Sequence, residues 1–231
     1  MAAADRRERE RSQRRESILT AADRLFAERP YDSVRVDDIA EAAELAKGTV
    51  YLYFSEKDTI VSELGRRLLD RVEADMKTVT DKVRSGLVGA ADGLLHVVGI
   101  WNDAYWAQPG LFRILVLDRP RLLAEFSAGV DGHGPHVLEP VETLVKAGQA
   151  SGEFSASANP SVVSHALWAL FVGGLLLSGR GEISETDLRA TSLPVLRALV
   201  SGLCLPAGGA AERAGGAHSG IHTGGGQGSC R

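Results

Sequence analysis

Apolar positions recur three and four residues apart along most of the chain, and sustained alternation is absent. Ile18, Ala22, Leu25, Phe26 and Ala27 form one stripe ending before Pro30, which predicts a first helix over 12–28. Val36, Ile39, Ala40 and Ala43 mark a short second helix over 36–43, and Val50 and Phe54 a third over 47–53. Ile60, Leu64, Leu68 and Val72 run four apart through a long helix from about 56 to 83, with Gly86 as its stop. Leu94, Val98, Trp101 and Tyr105 stripe a helix over 87–107, broken by Gln108-Pro109-Gly110. Short helices follow over 111–117 and 122–126, then a glycine-rich interruption over 129–135. A helix over 136–150 carries Val137, Val141, Leu144 and Val145. Asn159-Pro160 is a cap followed by proline at the first helical position, and Ser184 with Asp187 is a second capping pair. Pro194 falls inside the last apolar stripe (Leu193, Leu196, Leu199, Val200, Leu203), so a kink or restart is expected there.

These elements predict an all-α chain, with an N-terminal three-helix unit and a larger helical unit behind it. The expected divisions are a flexible basic arm over 1–11, disordered or loosely helical, and a helix-turn-helix unit over 12–58. A larger helical unit follows over 59–205. The tail over 206–231 is rich in Gly, Ala and Ser and is expected to be disordered.

Composition narrows the function. At 44% hydrophobic residues the 231-residue chain can bury a sizeable core. A net charge of −4 argues against indiscriminate nucleic-acid binding, and residues 1–60 hold eleven Lys and Arg against thirteen Asp and Glu. Basic charge is nevertheless concentrated: six arginines face three acids in the first fifteen residues. Asp37, Asp38, Glu41 and Glu44 cluster on and just after the second helix, and are expected to face away from phosphate. Cys204 and Cys230 make neither a disulfide framework nor a zinc pattern, which suits a reducing cytoplasm. The N-terminus has no signal-peptide core. The longest apolar run, over 166–177, is shorter than the roughly 20 residues a bilayer needs.

The most informative stretch is 36–57, VDDIAEAAELAKGTVYLYFSEK. Its second helix buries one stripe and opens with a cation, a glycine and a hydroxyl, which suits a DNA groove. Val36, Asp38-Ile39-Ala40, Lys47-Gly48-Thr49-Val50-Tyr51, Tyr53-Phe54 and Lys57 together resemble the helix-turn-helix of TetR-family transcriptional regulators. The specific resemblance covers about 12–62; beyond that only size and helical character match. Glu44 and Ala46 stand where the family often has glycine and serine in the turn. Leu52 stands where it often has histidine or another polar or aromatic residue, and Arg35 where many members have threonine. These positions lie on or near the reading surface, so the family's operator sequences do not carry over.

The resemblance implies a homodimer on a palindromic double-stranded DNA operator, released by a small-molecule effector. Lys47, Thr49 and Tyr51 would meet bases or phosphates, with Gly48 allowing close approach and Leu52 beside them. Tyr53 and Lys57 would hold the backbone, and Arg35 would add a contact. The last two helices are apolar beyond what one face requires, which predicts a four-helix dimer interface and makes Leu196→Arg its natural disruption. Aromatic density at Trp101, Tyr105, Trp106 and Phe112, joined by Phe126 and Trp168, predicts a pocket for a mostly apolar or aromatic effector.

No cofactor, metal or membrane partner is expected. His133 and His136 lack a third ligand, His218 and His222 lie in the tail, and His96 and His165 read as packed helical residues. No nucleophile with its base and no phosphate loop is present, so the chain does not read as an enzyme. Two alternatives to a repressor stay open: an activator with the same reading head, and a helical ligand-binding module that has lost DNA binding.

Overall fold

The structure, a computed structural model, describes residues 2–122 and 137–204, with side chains from Asp5 onward. Its order is α1 (Ala2–Glu28), a 3-10 turn (Tyr31–Ser33), α2 (Val36–Ala42), α3 (Lys47–Tyr53), α4 (Lys57–Arg84) and α5 (Ala90–Ala107). Then come α6 (Pro109–Arg113), a π-helical segment (Ile114–Asp118), α7 (Glu139–Ser151), α8 (Pro160–Gly179) and α9 (Glu185–Leu203). The described residues contain no strand, and only an isolated bridge pairs Phe154 with Cys204.

At the N-terminus, helix α1 starts at Ala2 rather than near residue 12, so residues 2–11 take the helical of the two expected forms. Arg6 pairs with Glu10 and Arg9 with Asp5, each at 2.9 Å and one helical turn apart, a spacing that supports the helix. Ile18, Ala22, Phe26, Val34, Ile39, Val50, Phe54 and Ile60 are all buried and form the core of the first three helices against the start of α4.

The 28-residue α4 is about 42 Å long at 1.5 Å per residue, and its Ile60, Leu64, Leu68 and Val72 are buried as their spacing requires. It packs on α5 and α7, where Met76, Leu94, Val97, Val98, Val141, Leu144 and Val145 make the second half of the core.

Both capping expectations hold. Asn159 Oδ1 accepts from the Ser161 and Val162 amides, and Ser184 Oγ accepts from the Asp187 amide. Helix α9 runs through Pro194 without a restart. Two local expectations fail. His96 and His165 are exposed rather than packed. The apolar stretch is longer than its unbroken run, because the flanking Ser, His and Gly carry no full charge. Helix α8 is therefore long and apolar enough to cross a membrane by length and composition, although only 22% of it is buried within this chain. Phe126, His133, His136, His218, His222, Cys230 and the tail lie outside the described residues.

Candidate nucleic-acid interface and ligand cavity

The break between α2 and α3 is built from the backbone outward. The Leu45 amide bonds the Ala40 carbonyl at 2.9 Å and the Glu44 amide bonds the Glu41 carbonyl at 3.0 Å. This is a Schellman motif, whose first residue past the cap is left-handed. Glu44 fills that position at φ 57°, the one positive φ outside glycine among the described residues. The same motif ends α4 and α8 with Gly86 and Gly181. Ala46 caps α3 without a side-chain hydrogen bond, as the missing serine predicts.

Helix α3 buries Val50 and turns the rest of its short length outward. Leu52 is 81% exposed and Tyr51 46% exposed. Gly48 is exposed, and a Cβ there would meet no atom within 4 Å. Nothing in the chain itself therefore requires glycine at this position. Thr49 and Tyr53 are half-buried, Tyr53 against the core.

Lys47 Nζ lies 2.7 Å from Asp37 Oδ1, and that hydrogen bond raises the lysine's pKa. Arg35 is exposed, with Nη2 3.7 Å from the same carboxylate. Asp38 turns back to accept from the Arg35 amide at 2.9 Å and from Arg29 at 3.1 Å. The amide bond leads in holding its carboxyl below the usual carboxylate range. Asp37 and Asp38 are thus matched locally rather than simply turned aside.

Lys57 is placed differently from its expected role on the DNA backbone. Its ammonium donates to the Tyr31 and Val34 carbonyls at 2.7 and 2.8 Å and lies 3.7 Å from the Tyr31 ring centroid. Burial lowers its pKa. Its three donors are directed at the turn after α1, so it ties α4 to that turn.

The aromatic residues of α5 divide between core and cavity. Trp101 is buried against Trp168 and Phe171, with ring centroids 5.3 and 5.9 Å away, and its indole N–H has no partner. Neither Trp101 nor Trp168 lines the cavities described here, because both side chains are spent on this aromatic packing. Tyr105 and Phe112 do line a cavity of about 490 Å³, together with Leu117 and Leu175. Its polar lining comes from Arg113, Ser178, Ser184 and Glu185. The sequence carried no periodic signal for these four, since they sit on a five-residue helix and at helix ends. Burial raises the pKa of Tyr105, and the charge of Glu185 adds to it.

Tyr105 and Leu175 also wall a smaller cavity of about 140 Å³, reached by Trp106, Leu170 and Val195. Asn102 closes one side, accepting from Trp106 Nε1 at 3.2 Å and Ser192 Oγ at 3.0 Å. No cluster of three or more potential metal ligands occurs among the described residues.

Residues 18–64 match the model for bacterial regulatory proteins of the tetR family. The chain is 31% identical over 96 residues to the HTH-type transcriptional regulator HbdR of Aromatoleum sp. (strain CIB), covering 42% of this chain and 40% of that one. It is 38% identical over 77 residues to the HTH-type transcriptional repressor KstR2 of Rhodococcus jostii (strain RHA1), covering 33% and 36%. The chain thus spans about two fifths or less of these two relatives. In fold it is similar to the transcriptional regulator FadR of Bacillus subtilis, solved in complex with stearoyl-CoA. That match has a TM-score of 0.60 at 22% identity and covers 81% of this chain and 98% of that one.

Proposed function

The chain belongs to the TetR family of bacterial regulatory proteins, and from that premise we propose that it is a homodimeric repressor. It binds a palindromic operator and is released from it by a small molecule. It is a DNA-binding regulator and not an enzyme. The observation that carries this reading is the outward face of α3. A seven-residue helix exposes Leu52 and Tyr51 and keeps a glycine that its own fold has no use for. Glycine inside a helix costs about 1 kcal/mol against alanine. A partner that must approach the backbone at Gly48 accounts for all three residues. A major groove offers thymine methyls for Leu52, and base edges and phosphates for Tyr51, Thr49 and Lys47. Arg35 flanks the same surface.

Dimerisation is supported by the outer faces of α8 and α9. Val162, Ala166, Ala169 and Leu170 are exposed on α8, and Val195, Ala198 and Leu199 on α9, with three- and one-residue steps shared by the two stripes. Two apolar stripes on adjacent helices need a cover, and a second copy supplies the same pair to complete a four-helix bundle. This also accounts for a helix as apolar as α8 being so little buried within one chain. Leu196, by contrast, is 3% exposed inside the protomer, so the interface runs through Val195 and Leu199 instead. A twofold axis would set two α3 helices about 34–36 Å apart, the repeat of successive major grooves.

The 490 Å³ cavity falls within the 300–1,000 Å³ range of small-molecule sites. Its mixed lining favours an amphipathic effector over a purely apolar one. Stearoyl-CoA in the Bacillus subtilis structure shows that this fold can hold an amphipathic ligand. Each 1.4 kcal/mol of preference for the released state weakens the apparent operator affinity by up to tenfold.

The test is a fluorescence-anisotropy titration of the full chain against DNA flanking its own gene, at two salt concentrations, with random DNA as competitor. Saturable binding that survives competitor and weakens with salt is expected. Binding erased by competitor on every fragment, and on oligonucleotides selected from a random pool, would overturn the assignment.

A further inference from the structure

Helix α1 carries a stripe that the fold uses for only half of its length. Arg7, Arg11, Arg14, Ile18, Ala21 and Leu25 follow one another at alternating steps of four and three residues, so they share one face of the helix. The last three belong to the core: Ile18 and Ala21 are buried, and Leu25 packs against them and their neighbours. The first three are exposed arginines. The stripe thus turns from apolar to cationic where the helix leaves the three-helix unit, and it keeps its direction.

Six arginines stand in the first fifteen positions, and three of them are matched within the chain. Arg6 pairs with Glu10 and Arg9 with Asp5. Arg15 lies 3.4 Å from Glu63 and places its guanidinium carbon 4.6 Å from the Phe54 ring centroid. Arg7, Arg11 and Arg14 make no ion pair or side-chain hydrogen bond among the described residues, although the equally unpaired Glu8 stands beside them. Like charges one turn apart on a helix repel. Three in a row weaken the helix that carries them, and no contact inside the chain offsets this.

The base of the extension is held against the reading head. Phe54 closes α3, so the Arg15 contact sets α1 beside the end of that helix. The next residue, Glu16, accepts from Arg67 of α4 at 2.6 Å. Outward from this clamp the helix rises about 1.5 Å per residue, so Arg14, Arg11 and Arg7 all lie within about 12 Å of it along the axis.

A guanidinium is planar, permanently charged and able to donate two parallel hydrogen bonds to one phosphate. Three of them in a row, clamped beside α3 and directed to the side on which the head packs, fit the backbone of a duplex. Resting on the regulatory reading above, we propose that Arg7, Arg11 and Arg14 bind phosphates of the DNA that α3 reads. The contact is independent of sequence and adds affinity to whatever bases α3 selects. It reconciles a polyanionic partner with the excess of acids over residues 1–60, because the cations of this face are free while Arg6 and Arg9, on the opposite face, are neutralised.

Two matched pairs of substitutions in the full chain test this. Arg7→Gln/Arg11→Gln removes charge from the stripe, and Arg6→Gln/Arg9→Gln removes the same charge from the opposite face. Glutamine keeps nearly the helix propensity of arginine, and circular dichroism checks that helix content is unchanged. Anisotropy titrations run from about 50 to about 200 mM salt, on an operator duplex selected from a random pool and on random-sequence duplex. Each phosphate contact contributes about 0.9 to the log–log salt slope. The stripe pair should therefore lower the slope by about two per subunit, or three to four per dimer, on both duplexes. The opposite pair should lower it by less than about one.

Arg14→Gln, next to the clamp, is an independent check that survives any fraying further out, with an expected fall of about one per subunit. Equal falls in the two pairs would overturn the proposal, since they mark a general effect of charge. A parental slope in Arg7→Gln/Arg11→Gln would overturn it as well. If the parent binds no selected duplex in the presence of competitor, the regulatory reading fails, while the difference between the pairs on random duplex still decides whether the stripe binds phosphate.

Discussion

Glu44 and Gly48 stand four residues apart and invert each other's logic. Glu44 occupies a left-handed position that three other helix ends among the described residues give to glycine, at Gly86, Gly152 and Gly181. Gly48 occupies an ordinary helical position where alanine would fit without contact. A non-glycine residue in the left-handed region costs roughly 1 kcal/mol. Glu44→Gly is therefore expected to raise stability by about that amount, read as a higher midpoint in urea at unchanged slope. No rise would mean that the Glu44 side chain makes an offsetting contact. Gly48→Ala should also stabilise, by about 1 kcal/mol, yet weaken operator binding on the order of tenfold. A variant that gains stability and keeps full affinity would remove the argument for close DNA approach. Lys57 shows that a motif residue can match its family position and still be directed inward, here at two carbonyls and a tyrosine ring.

At the scale of elements, helix ends decide much of the architecture. Helix α5 begins at Ala90 with no cap of its own, since Gly89 offers no side chain. Glu153, from the turn after α7, supplies one. Its carboxylate accepts from the Ala90 and Ala91 amides at 3.1 and 3.0 Å and from Ser151 at 2.9 Å. Partial burial pushes this carboxyl up, but the two amide bonds and the hydroxyl outweigh it and hold its pKa below the ordinary glutamate value. The unfolded chain binds this proton more readily than the folded one. The resulting stability is present above the unfolded pKa of about 4.3 and is lost as pH falls through the lower folded value. Glu153→Gln should cost about 1 kcal/mol at pH 7 and flatten the acid limb between about pH 5 and 3. Chemical denaturation across that range measures it, and an acid limb identical to the parent's would refute the assignment.

At the scale of the whole molecule, the exposed apolar stripes of α8 and α9 are the surface that the proposed dimer would cover. Leu170 and Val195 are about half exposed, on helices whose opposite faces pack Leu167, Phe171, Leu196 and Val200 into the core. Leu170→Arg/Val195→Arg should yield a folded monomer by light scattering, with helical content intact and operator affinity lowered through loss of the second head. An unchanged dimer would place the interface elsewhere. Leu196→Arg should instead unfold the chain or lower its melting temperature sharply, because it buries a charge in the protomer core. The two substitutions lie one residue apart, and a helix turns about 100° per residue, so they separate core from interface cleanly.

What the sequence determined by itself was periodic or local. Helix identity, the stripe Ile60-Leu64-Leu68-Val72, the Asn159 and Ser184 caps and the turn-and-helix pattern around Lys47-Gly48-Thr49 all follow from spacing or from neighbours within four residues. A helix needs no distant partner to announce its period. The tertiary structure decided whatever depends on which face meets which. It put Trp101 and Trp168 into packing and left Tyr105 and Phe112 on the cavity. It turned Lys57 inward, moved the exposed stripe of α9 from Leu196 to Val195, and brought Arg113, Arg119 and Glu153 to carbonyls, a ring and amides distant in the chain. A stripe on an isolated helix says that one side is buried, but not against what. Only packing assigns the partners, because side chains far apart in sequence become neighbours solely through the fold.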